Sequence, residues 1–200
     1  MHISTVDHPP GETTSDHYLS NISPLVANPL SKLPLGTVKP RGWLKHQMEL
    51  MAQGMAGNLE EISYFATPES GWLGGDQPGW EEPAYWLRGL YPLAVLLDND
   101  RCLNTAKKWL EPVLGSQDED GYFGAAYHKK LPSINAKQTV CDLWPHMVML
   151  DPLIQLYEHT ADERVIPLMR RFFVKRQLFL PVATIRIAGF SVGEIGVFCG

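Results

Sequence analysis

The sequence lacks a paired-cysteine pattern, a cluster of basic residues and any apolar run long enough to cross a membrane. Cys102, Cys141 and Cys199 are widely spaced and form no CxxC pair, which argues against a disulfide framework or a zinc finger. With 22 acidic and 17 basic side chains the net charge is −5, so neither nucleic acid nor a membrane is an expected partner. The N-terminus carries no secretion signal, and a cytoplasmic location is predicted.

Hydrophobic residues make up 44% of the 200 positions, which is enough for one packed domain. Their distribution divides the chain into three parts. Positions 1–28 are polar and marked by proline, as is typical of a flexible arm. Positions 29–173 carry helical patterns. Positions 174–200 are rich in glycine and β-branched residues without a helical period, which predicts an irregular tail that does not continue the pattern.

Apolar residues spaced three and four positions apart predict five helices. These span Gly42–Glu61, Ala84–Leu97, Arg101–Ser116, Trp144–Glu158 and Arg164–Phe173. The second and third form an antiparallel hairpin, and the fourth and fifth repeat it about 60 residues later, with Pro92 matching Pro152. In each hairpin the first helix is apolar almost all round and is therefore predicted to be the inner one, while the amphipathic second helix is outer.

Stacked hairpins of this kind form either an α-solenoid or a closed α/α toroid. The segment QDEDGYFG at 117–124 follows the first hairpin, and Gly121 can take the positive φ that a turn there requires. A turn of this form is found in toroids, so it favours the closed arrangement. Its acidic residues lack the remaining ligands of an EF-hand loop, which favours a structural turn over a calcium site.

The segment WEEPAYW is the first candidate for a binding site. It places Glu81 and Glu82 between Trp80 and Tyr85, just before a buried helix. Sugars present C–H faces to aromatic rings and hydroxyls to carboxylates, so this composition fits a glycan subsite. Alternatively, the glutamates stabilise the positive end of a helix and the tryptophans lie in the core. Adjacent glutamates cannot by themselves flank a glycosidic bond, whose two catalytic carboxyls lie about 5 to 9.5 Å apart.

The segment DLWPH is the second candidate, and it brings Asp142, Trp144 and His146 to the start of another inner helix. Asp142 is also a natural N-cap, and Pro145 suits the first helical turn. His146 is either a buried structural histidine or a ligand contact. Cys141 and His146 are too isolated to predict a zinc pair. Nucleophile triads, HExxH, P-loop and dinucleotide-binding patterns are absent from the sequence.

Three ordered runs together indicate a family. They are HYLSN…LPLGTVKPRGWLKHQMELMAQGMAGNLEE, WLGGDQPGWEEPAYWLRGLYPLAVLLDNDRCLNTAKKWLEPVLGSQDEDGYFG and VCDLWPHMVMLDPLIQLYEHTADERVIPLMRRFF. From about His17 to Phe173 the sequence resembles the N-terminal part of the β-L-arabinofuranosidase-like proteins, glycoside hydrolase family 127 and its uncharacterised relatives. The resemblance implies an all-α (α/α)6 toroid with a sugar pocket at one mouth. It also implies hydrolysis of arabinofuranosyl or related glycosidic bonds.

The resemblance covers only part of that family's toroid. The family's catalytic cysteine, its acid/base glutamate and its zinc-binding cluster come from the later half, and Cys199 lies in a tail that does not match. The expectation is therefore a truncated, inactive fragment without a metal site or cofactor of its own, although the full-length family can hold zinc. A shifted reading frame or a misassigned gene end would account for positions 174–200.

A carbohydrate ligand is the expected partner, bound at one side of the pocket. The residues expected to line it are Trp80, Glu81, Glu82, Tyr85, Asp142, Trp144 and His146. Self-association through an exposed inner face is a further expectation, since missing helices would leave that face bare. The alternative is a non-catalytic helical scaffold in which these aromatics are core and the inner face docks a partner protein. Isomerase or lyase chemistry on the same toroid also stays open.

Overall fold

The computed structural model describes residues 24–26, 30, 32–129, 131–132 and 139–177, and these residues are predominantly helical. The α-helices are α1 (Gly42–Gln53), α2 (Leu59–Ile62), α3 (Glu82–Leu97), α4 (Asp100–Gly115), α5 (Trp144–Thr160) and α6 (Val165–Gln177). The strands β1 (Leu131–Pro132) and β2 (Thr139–Val140) form a two-residue antiparallel ladder. The predicted all-α class is therefore confirmed. No helix in the described part of the chain could span a membrane.

The predicted arm and tail lie mostly outside the described residues. Of the arm predicted at positions 1–28, only positions 24–26 are described. Of the tail predicted at positions 174–200, only the first four positions are described, and they belong to α6, which was expected to end at Phe173. The helical part of the chain thus continues one turn beyond its predicted end.

Two antiparallel helical hairpins, α3–α4 and α5–α6, organise the chain. Both first helices end in a left-handed residue, Asp98 (φ 51°) and Ala161 (φ 54°), whose N–H groups return to the last helical carbonyls. Asn99 then begins α4, its side chain accepting the backbone N–H of Cys102 at 3.0 Å. The two prolines matched in the sequence differ in environment, because Pro92 is partly exposed and Pro152 is buried.

The first helices of the hairpins, α3 and α5, lie side by side and run parallel. Trp144 meets Glu81 where both helices begin, and Arg88 pairs with Asp151 at 2.5 Å about two turns further along. Near the other end the Tyr91 hydroxyl lies 3.0 Å from His159 Nδ1. We call the exposed side of this pair the inner face. It carries Tyr85, Arg88, Gly89, Trp144, Met147 and Ile154.

The opposite side of α3 packs into the main core against α4. The amphipathic α4 buries Trp109, whose ring stands edge-on to Trp86 at a centroid distance of 5.6 Å. Phe172 of α6 adds to the same core. The predicted arrangement of a largely buried first helix and an amphipathic second helix is therefore present in the α3–α4 hairpin.

The predicted helix at Gly42–Glu61 is wrong beyond Gln53, because the chain turns at Gly54 and continues as a 3-10 turn, Met55–Gly57, and the short α2. The Arg101 guanidinium explains the path. Its two terminal nitrogens donate to the carbonyls of Gly57 (2.8 Å) and Ala52 (2.5 Å), drawing these two backbone segments together. A continuous helix would hold those carbonyls too far apart for one side chain to bridge.

Gly57 allows this close approach, because a Cβ there would overlap the Ala52 carbonyl oxygen and crowd the Arg101 guanidinium. Gly57→Ala is therefore expected to lower the free energy of unfolding by about 2 to 3 kcal/mol. Gly89→Ala is the matched control, since a Cβ on that helical glycine meets nothing within 4 Å and should stabilise α3 by about 0.5 to 1 kcal/mol. Urea unfolding measures both, and equal effects of the two substitutions would contradict the assigned contact.

Charged groups collect where α3 and α5 end. Lys39 Nζ donates to the Val95 carbonyl (2.6 Å) and to Asp98 (2.7 Å). Burial raises the pKa of Tyr91 to about 12, and the charge of Asp162 adds to the effect. Burial, with Lys107 and Lys39 close by, lowers the pKa of His159. The folded state therefore favours a neutral imidazole at this position.

The free energy of unfolding is expected to fall as the pH drops below about 7, because the unfolded chain, with its ordinary histidine pKa, binds a proton more readily than folded His159 does. The sign follows from the lowered pKa, since stability rises with pH wherever the unfolded state holds more protons. The measurement is urea unfolding of the wild type and His159→Gln between about pH 5 and 8. The variant should show a smaller slope, and an unchanged slope would remove His159 as its source.

Candidate functional site

The Gly- and Trp-rich loop before α3 is a compact unit closed at its base. Gly71 N donates to Gln77 O (2.7 Å) and Gln77 N donates to Glu69 O (3.0 Å). Trp72 lies inside the loop, only 1% exposed, and its Nε1 donates to the Trp80 carbonyl at 2.7 Å. The loop therefore delivers Trp80 to the start of α3 in a fixed position.

Asp142 joins this loop to the segment that begins α5. Its Oδ2 accepts the Trp80 indole N–H at 2.7 Å, and its Oδ1 accepts the backbone N–H of Trp144 at 2.9 Å. The Asp142 backbone N–H donates to the carbonyl of His128, while His128 Nε2 donates to the Pro78 carbonyl at 2.9 Å. One short segment around His128 therefore holds both halves of the site.

A second contact crosses between the same two segments in the opposite sense. The indole N–H of Trp144 donates to Glu81 Oε2. Each segment thus gives one indole N–H to a carboxylate of the other, and we call Trp80–Asp142 and Trp144–Glu81 the indole–carboxylate pairs. With their N–H groups engaged, the rings stay 38% (Trp80) and 43% (Trp144) exposed. The two predicted segments are therefore brought together and share one surface.

Glu82 and Tyr85 complete the surface on the first turn of α3. Tyr85 is 44% exposed. Glu82 is partly buried, and its Oε2 finds no hydrogen-bond donor among the described residues. Positions 76–87 and 141–149 contain no lysine or arginine. The surface therefore combines partly exposed aromatic residues with carboxylate hydrogen-bond acceptors.

Glu81 and Asp142 also stand where the parallel helices α3 and α5 begin, but neither occupies its helix N-cap in the expected way. Glu81 occupies the N-cap of α3 without a side-chain cap bond, because its carboxylate binds Trp144 instead. The N-cap of α5 is Leu143, so the prediction of Asp142 at that position is off by one residue. Both carboxylates still lie near positive helix ends, which stabilises their charge.

His146 is the one predicted site residue that does not reach the surface. It is fully buried, and its Nε2 donates to the Phe123 carbonyl at 2.6 Å, which assigns that tautomer. Its ring stacks on Phe172 at a centroid distance of 5.4 Å and meets Tyr122 edge-on at 4.6 Å. Of the two alternatives for this residue, the geometry agrees with the structural histidine.

The turn after α4 supplies this aromatic packing. Gly121 has φ 83°, as predicted, and Tyr122 and Phe123 fold back into the core. Lys129 binds the turn carboxylates Asp118 (2.5 Å) and Asp120 (2.9 Å). Burial alone would lower the pKa of Lys129, but these two carboxylates outweigh it and raise the pKa. The acidic residues of the turn therefore serve a structural ion-pair cluster.

The arrangement offers features that suit the binding of a ligand. The surface offers partly exposed aromatic residues and hydrogen-bond acceptors, and within the described ranges no group of three metal-ligating side chains comes together. No family model, curated protein or solved structure matches the chain. The geometry of the indole–carboxylate pairs and the motif resemblance are therefore the two indications of function.

Trp72 and His128 hold the surface together, and neither was predicted from the sequence as a site residue. The only signal for Trp72 was its place in a loop too aromatic to be a simple connection. For His128 the sequence carried no signal, because its role depends on the carbonyl of Pro78, 50 positions away. Both residues act through hydrogen bonds to backbone carbonyls that only the folded loop brings within reach.

The Trp80–Asp142 pair should show energetic coupling. Trp80→Phe removes one hydrogen bond and is expected to cost about 1 kcal/mol of unfolding free energy. Asp142→Ala also removes the acceptor for Trp144 N–H and should cost about 2 kcal/mol. In the double variant the shared bond is lost once, so the two costs should exceed the measured total by about 1 kcal/mol. Strictly additive costs in urea unfolding would show that the pair contributes nothing.

Proposed function

We propose that this chain is a glycoside-hydrolase-like, carbohydrate-binding protein related to the β-L-arabinofuranosidase-like family, and that its binding surface is formed by the two indole–carboxylate pairs. In this proposal α3 and α5 are neighbouring inner helices of a partial (α/α)6 toroid, and the surface is one side of the sugar pocket at its mouth. The family's catalytic groups have no counterpart in the 200 residues. Binding without turnover is therefore expected.

The observation that carries the proposal is the crossing of the two pairs. Because each indole N–H is tied to a carboxylate, the two rings are fixed at their edges while both residues stay partly exposed. Sugar recognition needs rigid ring faces for the C–H side of a pyranose or furanose. It also needs acceptors at the rim for its hydroxyls, and the pairs supply both within one surface.

Glu82 is the carboxylate with spare acceptor capacity. Asp142 already accepts two N–H groups and Glu81 accepts one, whereas Glu82 Oε2 has no donor among the described residues. That oxygen is closed to solvent, so in this proposal the Glu82 side chain turns outward to meet a ligand hydroxyl, and the new hydrogen bond satisfies an acceptor that is otherwise buried without a donor. The nearest base on the same face, Arg88, is paired with Asp151, so the three carboxylates favour a neutral sugar over a uronate or a sulfated sugar.

The toroid is supported by the packing of the helices. Two successive hairpins place their first helices parallel and adjacent, with the second helix of the α3–α4 hairpin behind. Repetition of that relation around an axis gives a ring of inner helices. The inner face is then the wall of the central cavity, and the loops before α3 and α5 form its mouth.

Protein docking is the second candidate function, and a separate exposed apolar surface favours it. Trp43 is 80% exposed and Met55 is 69% exposed, and Ile62 and Tyr64 are also largely exposed. Large apolar side chains exposed in one short segment are a feature of interaction sites when they adjoin in space. This surface belongs to the segment 42–66 and carries neither of the indole–carboxylate pairs.

Equilibrium titration with an aryl β-L-arabinofuranoside, a matched aryl glucuronide and free arabinose tests the proposal, with binding followed by calorimetry and tryptophan fluorescence. The neutral furanoside should bind saturably and more tightly than the glucuronide. Trp144→Ala should weaken binding at least tenfold because it removes a ring that contacts the ligand, and Glu82→Gln about threefold to tenfold because it replaces a charged acceptor by a neutral one. Trp43→Ala, which removes an exposed tryptophan that belongs to neither pair, is the control and should leave affinity unchanged.

Two outcomes would contradict the proposal. One is the absence of saturable binding by any of these sugars to a folded chain. The other is an equal loss with Trp43→Ala and Trp144→Ala, which would indicate nonspecific contact with exposed tryptophan. A monomer–dimer equilibrium abolished by Trp43→Ala, with no sugar binding, would instead favour the docking function.

A further inference from the structure

Trp72 lies directly behind the candidate surface and contacts no solvent. We infer that Trp72 is a positioning residue: its indole N–H fixes the backbone of Trp80, and thereby the orientation of the Trp80 ring that faces a ligand. The effect on the protein's own structure stands independently of any ligand, whereas the effect on affinity rests on the proposed carbohydrate function.

Trp80 is held at two points. Its carbonyl accepts Trp72 Nε1–H and its own Nε1–H reaches Asp142 Oδ2, both at 2.7 Å. Positions 78–80 belong to no helix or strand; His128 holds the Pro78 carbonyl at one end, α3 begins at the other, and Trp72 holds the carbonyl of Trp80 between them. Without the Trp72 bond, the ring would still be tethered at its edge, but the Trp80 peptide could rotate between these two anchors. The tilt of the ring therefore depends on Trp72.

Trp72 is itself fixed by elements that lie outside the binding surface. Its ring packs against buried His146 at a centroid distance of 5.7 Å. Gly124, with φ 85°, lies against the same ring, and a Cβ at that position would overlap it. Gly124 N donates to Ser116 Oγ at 2.7 Å, which connects this contact to the end of α4. The turn after α4 therefore determines where Trp72, and through it Trp80, can lie.

A second buried tryptophan provides a matched control. Trp86 is 9% exposed, and its Nε1 also donates to a backbone carbonyl at 2.7 Å, that of Ala56. Trp72→Phe and Trp86→Phe thus remove the same type of bond from similarly buried sites. They differ in whether the carbonyl belongs to the binding surface.

The experiment uses the full chain labelled with 5-fluorotryptophan and followed by fluorine NMR. The Trp80 resonance is assigned from its loss in Trp80→Phe. It should shift in Trp72→Phe and stay in place in Trp86→Phe, although both variants lose thermal stability. For the aryl β-L-arabinofuranoside, Trp72→Phe should weaken affinity about tenfold, and Trp86→Phe should leave it within about twofold.

A variant of unchanged shape covers the case in which Trp72→Phe fails to fold. Benzothienylalanine at position 72 keeps the bicyclic ring and removes only the N–H group. It should reproduce the shift of the Trp80 resonance. An unmoved Trp80 resonance in either variant, or an equal shift in Trp86→Phe, would overturn the inference. A shifted resonance without sugar binding by the wild type would support the positioning role and reject the carbohydrate function.

Discussion

The parallel contact between α3 and α5 is the constraint on which the rest of the structure depends. Parallel helices side by side place both N-termini at one end, so the loops that precede them must meet there. The polar contacts along the interface follow this direction, from Glu81 with Trp144, through Arg88 with Asp151, to Tyr91 with His159. An antiparallel arrangement would have separated the two loops by the length of a helix. The candidate surface is therefore a consequence of helix direction.

Much of the helical architecture was predictable because it follows from the local spacing of apolar residues. The spacing of apolar residues gave the four hairpin helices to within a few residues, and Gly121 marked the turn after α4. The prediction of one helix over Gly42–Glu61 failed for a reason that is only partly local. The Asn58 side chain donates to the carbonyls of Gln53 and Gly54 from within the segment, whereas the Arg101 guanidinium approaches from α4 and cannot be inferred from neighbouring residues. The toroid stays a proposal, since two hairpins define an adjacency and not a closed ring.

The candidate site divides in the same way. Composition was enough to select both aromatic and acidic segments, and the structure joins them. Composition alone could not distinguish Trp144 from His146. Trp144 is exposed, whereas His146, two positions further along α5, is enclosed by Phe123 and Phe172. Their difference follows from which side of α5 each occupies relative to α6. The role of Trp72 could not be predicted because its partner is a backbone carbonyl, which every residue has and which no sequence pattern identifies.

The Arg101 contact also affects how the chain would meet a protease. The peptide bonds around Met55–Gly57 lie near the surface in a glycine-containing turn, a common place for cleavage. Proteases bind their targets as extended strands, and extending this turn would require both carbonyls to leave the guanidinium. One side chain from a later helix is therefore expected to slow digestion at an exposed turn for as long as α4 stays folded.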